Sequence, residues 1–255
     1  MKNNNKFRLD VWGAITLGTI ALYALFLLYP MAYLIRQSVL DPDTGGFTLA
    51  YFTKFFSKSY YFDTLINSFK VSITATVLSI AIGTPLAYLF TIFKIKGKSV
   101  LNILIVVASM SAPFIGAYSW ILLLGRSGVI TAFFKNLGIA IPDIYGFGGI
   151  VLVMTLQLFP LVFLYAKGAL KNIDNSLIEA AENLGCSGIV CFFKVVVPLI
   201  MPTLLAAALL VFMRSFADFG TPMLIGEGYR TFPVVLYTEF INCLLYTSPS
   251  PRDGL

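Results

Sequence analysis

Long apolar runs alternate with short polar connections along nearly the whole chain. Runs at about 11 to 35, 71 to 93, 99 to 124, 148 to 169 and 199 to 217 each approach or exceed the roughly 20 residues a helix needs to cross about 30 Å of hydrocarbon. The pattern predicts an all-α, polytopic helical membrane protein with five visible spans. The first run follows a basic start (Lys2, Lys6, Arg8), but it is too long for a signal-peptide core and has no small-residue cleavage site, so it is expected to be retained.

Basic residues set the expected orientation. Lys94, Lys96 and Lys98 crowd one short connection, and Lys167, Lys171 and Lys194 flank a longer one. Segments 36 to 70 and 125 to 147 carry basic residues at lower density. By the positive-inside rule the N-terminus and the two Lys-rich connections face the cytoplasm.

Composition narrows the function classes. Hydrophobic residues make up 58% of the 255 and charged residues 12%, more apolar surface than one water-soluble core can hide. The net charge of +6 is scattered between apolar runs and forms no stripe, so no nucleic-acid partner is expected. The chain contains no histidine, which removes His-dependent acid–base catalysis and most zinc sites. Cys186, Cys191 and Cys243 have neither CxxC spacing nor an even count, and are expected to be ordinary small apolar residues. The last residues, 243–255 (CLLYTSPSPRDGL), turn abruptly to Ser and Pro and are expected to be a non-native tail. That leaves residues 1–242 as one transmembrane domain.

The segment 175–202, NSLIEAAENLGCSGIVCFFKVVVPLIMP, is patterned as helix, turn, helix. Leu177, Ala180, Ala181 and Leu184 share one helical face, and Gly185 is placed to end the helix as a left-handed cap. So short a helix is marginal in water and needs a partner surface. Ser176 and Glu179 also fit the S-x-x-E capping box, a purely local role.

Glu179, Ala180 and Ala181, then Gly185 after three intervening residues, then Val195, Val197 and Pro198 after nine more, resemble the EAA loop of binding-protein-dependent ABC importer permeases. The likeness runs from about Phe47 to Asn242. It includes Gly83 and Pro85 ahead of Ala87 and Tyr88, GAYSWILLLGRSG from Gly116 to Gly128, and FADFGTPMLIG from Phe216 to Gly226. The last run is similar to the ferric-iron branch, with polyamine, phosphonate and thiamine permeases as near relatives.

The resemblance implies the type I ABC importer permease fold, with a coupling loop at about 171–198 that docks into a cytoplasmic ATPase subunit. Glu179, Ala180, Ala181, Gly185 and Pro198 would carry that coupling, and Val195 and Val197 stand where Ile and Leu are usual. It also implies an extracytoplasmic solute-binding protein, a second permease subunit or half, and a bacterial inner-membrane location. ATP and magnesium would bind the partner ATPase, with no cofactor and no metal on this chain. Members of that branch have six spans in this core, so a sixth is expected after Asn242 and is missing.

Polar residues inside spans are weighed separately because they are costly in lipid. Gln157, one turn before Pro160, either lines a solute route or hydrogen-bonds between helices. Ser72, Thr76, Ser79 and Gly83 share a face that suits close helix packing. Tyr118 and Trp120 read as interfacial anchors. Arg214 and Asp218, four apart, are expected to form an ion pair, with a gate or solute contact as the alternative. Two rival classes remain: an ion-gradient-driven secondary transporter and a membrane enzyme. The first should show related halves or paired broken helices, the second a catalytic cluster, and neither is visible. No G-x-x-x-x-G-K-[ST] loop is present, so energy from ATP must arrive through contacts.

Overall fold

A computed structural model describes residues 11–41, 45–93, 96–110, 112–139, 143–183, 185–186 and 188–247. Its internal contacts divide the chain into two units, Met1–Phe62 and Asp63–Leu255. The basic start Lys2, Lys6 and Arg8, together with Lys94, Leu184 and the tail from 248, lies outside the described residues.

In the first unit, α1 (Val11–Tyr23), a π turn (Ala24–Leu28) and α2 (Tyr29–Val39) run on as one apolar stretch without a buried residue. The π turn precedes Pro30, and the Tyr29 N–H reaches back to the Ala24 carbonyl. Proline lacks an N–H and crowds the carbonyl four residues back, a strain that one widened turn accommodates. Leu40 and Phe47 then form an isolated antiparallel bridge ahead of α3 (Ala50–Ser57).

The second unit carries most of α4 (Ser59–Ile92), then α5 (Lys98–Ser109), α6 (Pro113–Leu124), α7 (Val129–Asn136) and α8 (Phe147–Lys171). It continues through α9 (Asn175–Asn183), α10 (Gly188–Cys191), a π turn (Phe192–Val196), α11 (Val197–Ala217), α12 (Gly220–Ile225) and α13 (Phe232–Thr247). The second π turn again precedes a proline, Pro198, with the Val197 N–H bonded to the Phe192 carbonyl.

The faces of α4 show which solvent shaped the fold. Its buried stripe is small or weakly polar, including Ser68, Ser72, Ala75, Thr76, Ser79, Gly83, Thr84 and Ala87. Its exposed face carries Ile66, Phe69, Ile73, Val77, Ile82 and Leu89. A protein in water would put the bulky apolar residues inside. In lipid they gain nothing by burial, and small residues let backbones approach. At Gly83 an added Cβ would lie 2.9 Å from both the Phe159 carbonyl oxygen and the Val162 Cβ, so α4 and α8 touch backbone to side chain there. The packing role expected for Ser72, Thr76, Ser79 and Gly83 is the one observed.

Two clusters fill the interior. One joins Ala87 and Phe90 of α4 to Phe163, Ala166 and Leu170 of α8 and to Val196, Ile200 and Leu204 near the start of α11. The other joins Val71 and Ala75 of α4, Ala117 of α6, Ile150 and Met154 of α8, and Ile225 of α12. Trp120 is partly buried against this second cluster, while Tyr118 is exposed.

Five stretches among the described residues are long and apolar enough to cross a membrane: Val11–Val39, Ser59–Ile92, Pro113–Asn136, Phe147–Lys171 and Phe192–Ala217. The expected span at 99 to 124 is not continuous. It divides into α5 and α6 because Pro113 cannot donate to a preceding turn and holds Ala112 in an extended conformation (φ −67°, ψ 142°). α13 passes the boundary expected at Asn242, since Cys243–Tyr246 is apolar and compatible with a helix.

Gly83→Val should destabilise the α4–α8 contact by about 1–3 kcal/mol through overpacking. Gly168→Ala, on α8 with open space around the new methyl, should leave the midpoint unchanged or raise it. Thermal unfolding in detergent followed by intrinsic fluorescence checks both.

Candidate functional site

The loop between α8 and α11 is built from two caps. Asp174 Oδ1 accepts the Ser176 backbone N–H at 3.0 Å, so Asp174 caps α9 and Ser176 lies inside the first turn. This corrects Ser176 as the capping residue of the expected Ser176–Glu179 box: the cap sits two residues earlier, at Asp174. The Glu179 side chain itself lies outside the described residues. Hydrogen bonds from the Ser176 N–H and hydroxyl hold the Asp174 carboxyl below its ordinary pKa.

At the other end Gly185 has φ +83°, and the Cys186 N–H bonds the Ala181 carbonyl at 3.0 Å. That six-to-one bond is the signature of a Schellman cap, and only glycine adopts its left-handed turn without a Cβ penalty. Past the turn, Cys191, Phe192 and Val196 are buried, with the Phe192 ring 4.6 Å from Tyr88 of α4. Leu177 is 49% exposed and Phe193 64%, and Val190 and Ala180 are also exposed. The loop is thus fixed to the bundle through Phe192 and Val196 and leaves apolar side chains uncovered.

A cavity of about 450 Å³ lies between the end of α5, the start of α6, the middle of α8 and the end of α11. Gln157, Arg214 and Asp218 all line it. Gln157 stands about 15 Å along α8 from its first residue, near mid-span. Its Nε2 is buried and has no hydrogen-bond partner among the described residues, contrary to an interhelical bond through that group.

Arg214 and Asp218 do not pair. α11 ends at Ala217, and Asp218 is extended (φ −73°, ψ 121°), so the two side chains leave the shared helical face. Asp218 Oδ1 instead accepts the Gly220 N–H at 2.9 Å and the Thr221 N–H at 3.3 Å, and Oδ2 accepts the Thr221 hydroxyl at 2.6 Å. The carboxylate satisfies the free N–H groups that open α12. The Asp-Phe-Gly-Thr part of the run 216–226 therefore has a structural reason.

A second polar cluster escaped the sequence reading. Arg126, between α6 and α7, donates Nε to Asp143 at 3.0 Å, pairs through Nη2 with Glu227 at 2.9 Å, and lies over the Tyr145 ring at 4.7 Å. Glu227 has φ +46° and is the non-glycine residue with positive φ among those described. These residues are far apart in sequence, and no local pattern joins them. The cluster ties the start of α8 to the loop after α12, and a 2.9 Å hydrogen bond from the Gly146 N–H to the Ile225 carbonyl supports it.

Residues 46–244 match the family described as binding-protein-dependent transport system inner membrane component. The chain belongs to this family. Among relatives of this permease, the ferric transport system permease protein FbpB of Actinobacillus pleuropneumoniae is 28% identical over 100% of this chain and 37% of its own length. FbpB 1 of Haemophilus influenzae is 28% identical, with 92% and 38% covered. The permease thus spans well under half the length of the ferric transport proteins it matches. The spermidine/putrescine transport system permease protein PotB of Haemophilus influenzae is 28% identical over 93% of this chain and 85% of its own length.

Two crystal structures share the fold. A bacterial ABC transporter involved in import of the acidic polysaccharide alginate aligns with TM-score 0.71 and 19% identity, covering 94% of this chain and 87% of its own. The alginate transporter in complex with a pentasaccharide-bound periplasmic protein aligns with TM-score 0.74 and 16% identity, covering 94% and 86%. The all-α importer-permease fold expected from the sequence is the fold found.

Asp174→Ala should lower the hydrogen-exchange protection of amides 175–183 by about two- to fivefold, and Asp174→Asn should retain most of it because asparagine caps nearly as well. Because the folded pKa of Asp174 is depressed, the cap is fully present above the unfolded aspartate value of about 3.9 and is lost as pH falls through the lower folded value. Protection corrected for intrinsic exchange should therefore be flat from about pH 5 upward.

Proposed function

We propose that this permease forms the solute pathway of an ATP-driven importer for ferric iron, and that the α9–α10 loop receives the work of ATP hydrolysis from a cytoplasmic ATPase. The observation that carries the reading is the loop itself. It is capped at both ends, anchored through Phe192, and presents uncovered apolar side chains at Leu177, Ala180 and Val190. A helix this short gains stability when a partner covers that face. The loop also joins α8 directly to α11, and these two helices supply Gln157 and Arg214 to the cavity.

On this reading Glu179, Ala180, Ala181, Gly185 and Pro198 carry the coupling, and the α9–α10 loop and the N-terminus face the cytoplasm. ATP and magnesium belong to the ATPase. A solute-binding protein delivers cargo on the opposite side, a reading supported by the alginate transporter's complex with a pentasaccharide-bound periplasmic protein, and a second permease subunit or half completes the pathway. Ferric iron is supported by the two FbpB relatives. The polyamine reading is supported by PotB, which the chain matches over most of its length.

Gly185→Val should destabilise the left-handed turn by about 1 kcal/mol or more, and since a Cβ there meets open space, the cost is conformational and not steric. Gly185→Asn should be milder. Gly185→Val and Glu179→Gln should both reach the membrane at normal levels and lose ATPase association or solute-stimulated hydrolysis. Normal co-purification and normal stimulation in both variants would remove the coupling role from this loop.

A further inference from the structure

The polar groups around the 450 Å³ cavity are unbalanced. Arg214 is exposed to it and makes no ion pair or hydrogen bond among the described residues. Gln157 lines the same cavity, and its Nε2 is buried without a hydrogen-bond partner among the described residues. The one carboxylate present, Asp218, has both oxygens engaged by Gly220 and Thr221. Ser109 spends its hydroxyl proton on the Val106 carbonyl. Pro113, Phe114, Leu158 and Phe219 supply most of the remaining wall, which is apolar.

Asp218 keeps its negative charge but directs it at the opening of α12, which leaves the Arg214 guanidinium as the charged group of the lining with no partner among the described residues. A buried amide N–H without an acceptor is costly, and the exposed Arg214 guanidinium beside the apolar wall is free to receive an anionic partner. We propose that this cavity holds the solute through anionic oxygens, carboxylate or phosphate, that pair with Arg214 and accept from Gln157. This rests on the reading that the chain forms a solute pathway, and it adds the class of solute that pathway takes.

The chemistry separates the candidate cargoes. A guanidinium presents a planar fork of donors that matches two oxygens of a carboxylate or phosphate, and a low-dielectric wall strengthens the pairing. A polyamine brings ammonium groups toward Arg214, and the carboxylate beside it, Asp218, is already engaged by Gly220 and Thr221. A bare ferric ion meets the same repulsion. Iron can use this cavity when its positive charge is covered by carboxylate or phosphate ligands, so that the surface it shows the protein is anionic oxygen.

The test uses the full chain in lipid nanodiscs, titrated calorimetrically with citrate, ferric citrate, inorganic phosphate and spermidine. Wild type should bind at least one of the three oxyanion probes saturably and spermidine not at all; comparison of citrate with phosphate tells which oxygen chemistry is preferred. Arg214→Gln should weaken that binding by tenfold or more, and Arg214→Lys by less, because the charge remains but the fork is lost. Gln157→Glu should weaken it as well by adding like charge. Thermal unfolding matched to wild type certifies that each variant is folded. Equal oxyanion affinity in wild type and Arg214→Gln overturns the proposal, as does binding of spermidine but none of the oxyanions, or binding of no probe by folded wild type. If Arg214→Gln changes nothing while uptake by the assembled importer still requires the ATPase, the inference about solute class fails alone. If uptake no longer requires the ATPase, the transport reading fails with it.

Discussion

The contact between α8 and α11 is the one on which the other features depend. In lipid, apolar surface drives no association between helices, so the pair must be held by close fit and by the few polar groups that cannot be left alone. Ile200, Leu204, Ala207, Val211 and Ser215 form the buried stripe of α11, and Val162, Phe163 and Ala166 lie on the buried side of α8. Toward one end the Ser215 hydroxyl donates to the Met154 sulfur at 3.2 Å. α4 closes the third side through Gly83, where no side chain could be inserted without displacing backbone.

That packed trio has something different at each end. At one, the chain leaves α8 at Lys171 and returns through α9, α10 and the π turn, with Phe192 and Val196 seated in the core. At the other, α11 stops at Ala217 and Asp218 turns the chain into α12, while Arg126 fastens the approach to α8 to the loop beyond α12. Packed interiors transmit displacement because they have few voids to absorb it. A push on the α9–α10 loop would therefore be felt by α8 and α11 together, and the cavity lined by Gln157 and Arg214 lies between elements that both helices carry. Coupling in this sense is a difference in contact free energy between two arrangements of one packed unit.

Much of this was legible in the chain. The apolar runs located the membrane-crossing stretches, since length and hydropathy are local properties. The glycine cap at Gly185 was also legible, because left-handed turns demand a residue without Cβ. What failed were expectations that needed an element boundary or a third residue. Pro113 divides a run that hydropathy alone reads as one span. Asp174 outcompetes Ser176 as the cap of α9 by lying one residue before the helix. Arg214 and Asp218 have the right spacing to pair on a continuous helix, but α11 ends before Asp218, whose carboxylate is taken by N–H groups two and three residues on. The Arg126 cluster draws on three separated loops, and only the fold brings Asp143 and Glu227 to Arg126, at 3.0 and 2.9 Å.

The central claim is that this chain conducts solute but is energised from outside the membrane, through contacts with an ATPase. Uptake of radioactive iron into proteoliposomes measures it most directly, with ATP enclosed and with the permease, its ATPase and the cognate binding protein added singly and together. The account predicts uptake only when all three are present and ATP is hydrolysed, with no response to an imposed proton or sodium gradient. Uptake by the permease alone, driven by such a gradient, would contradict it.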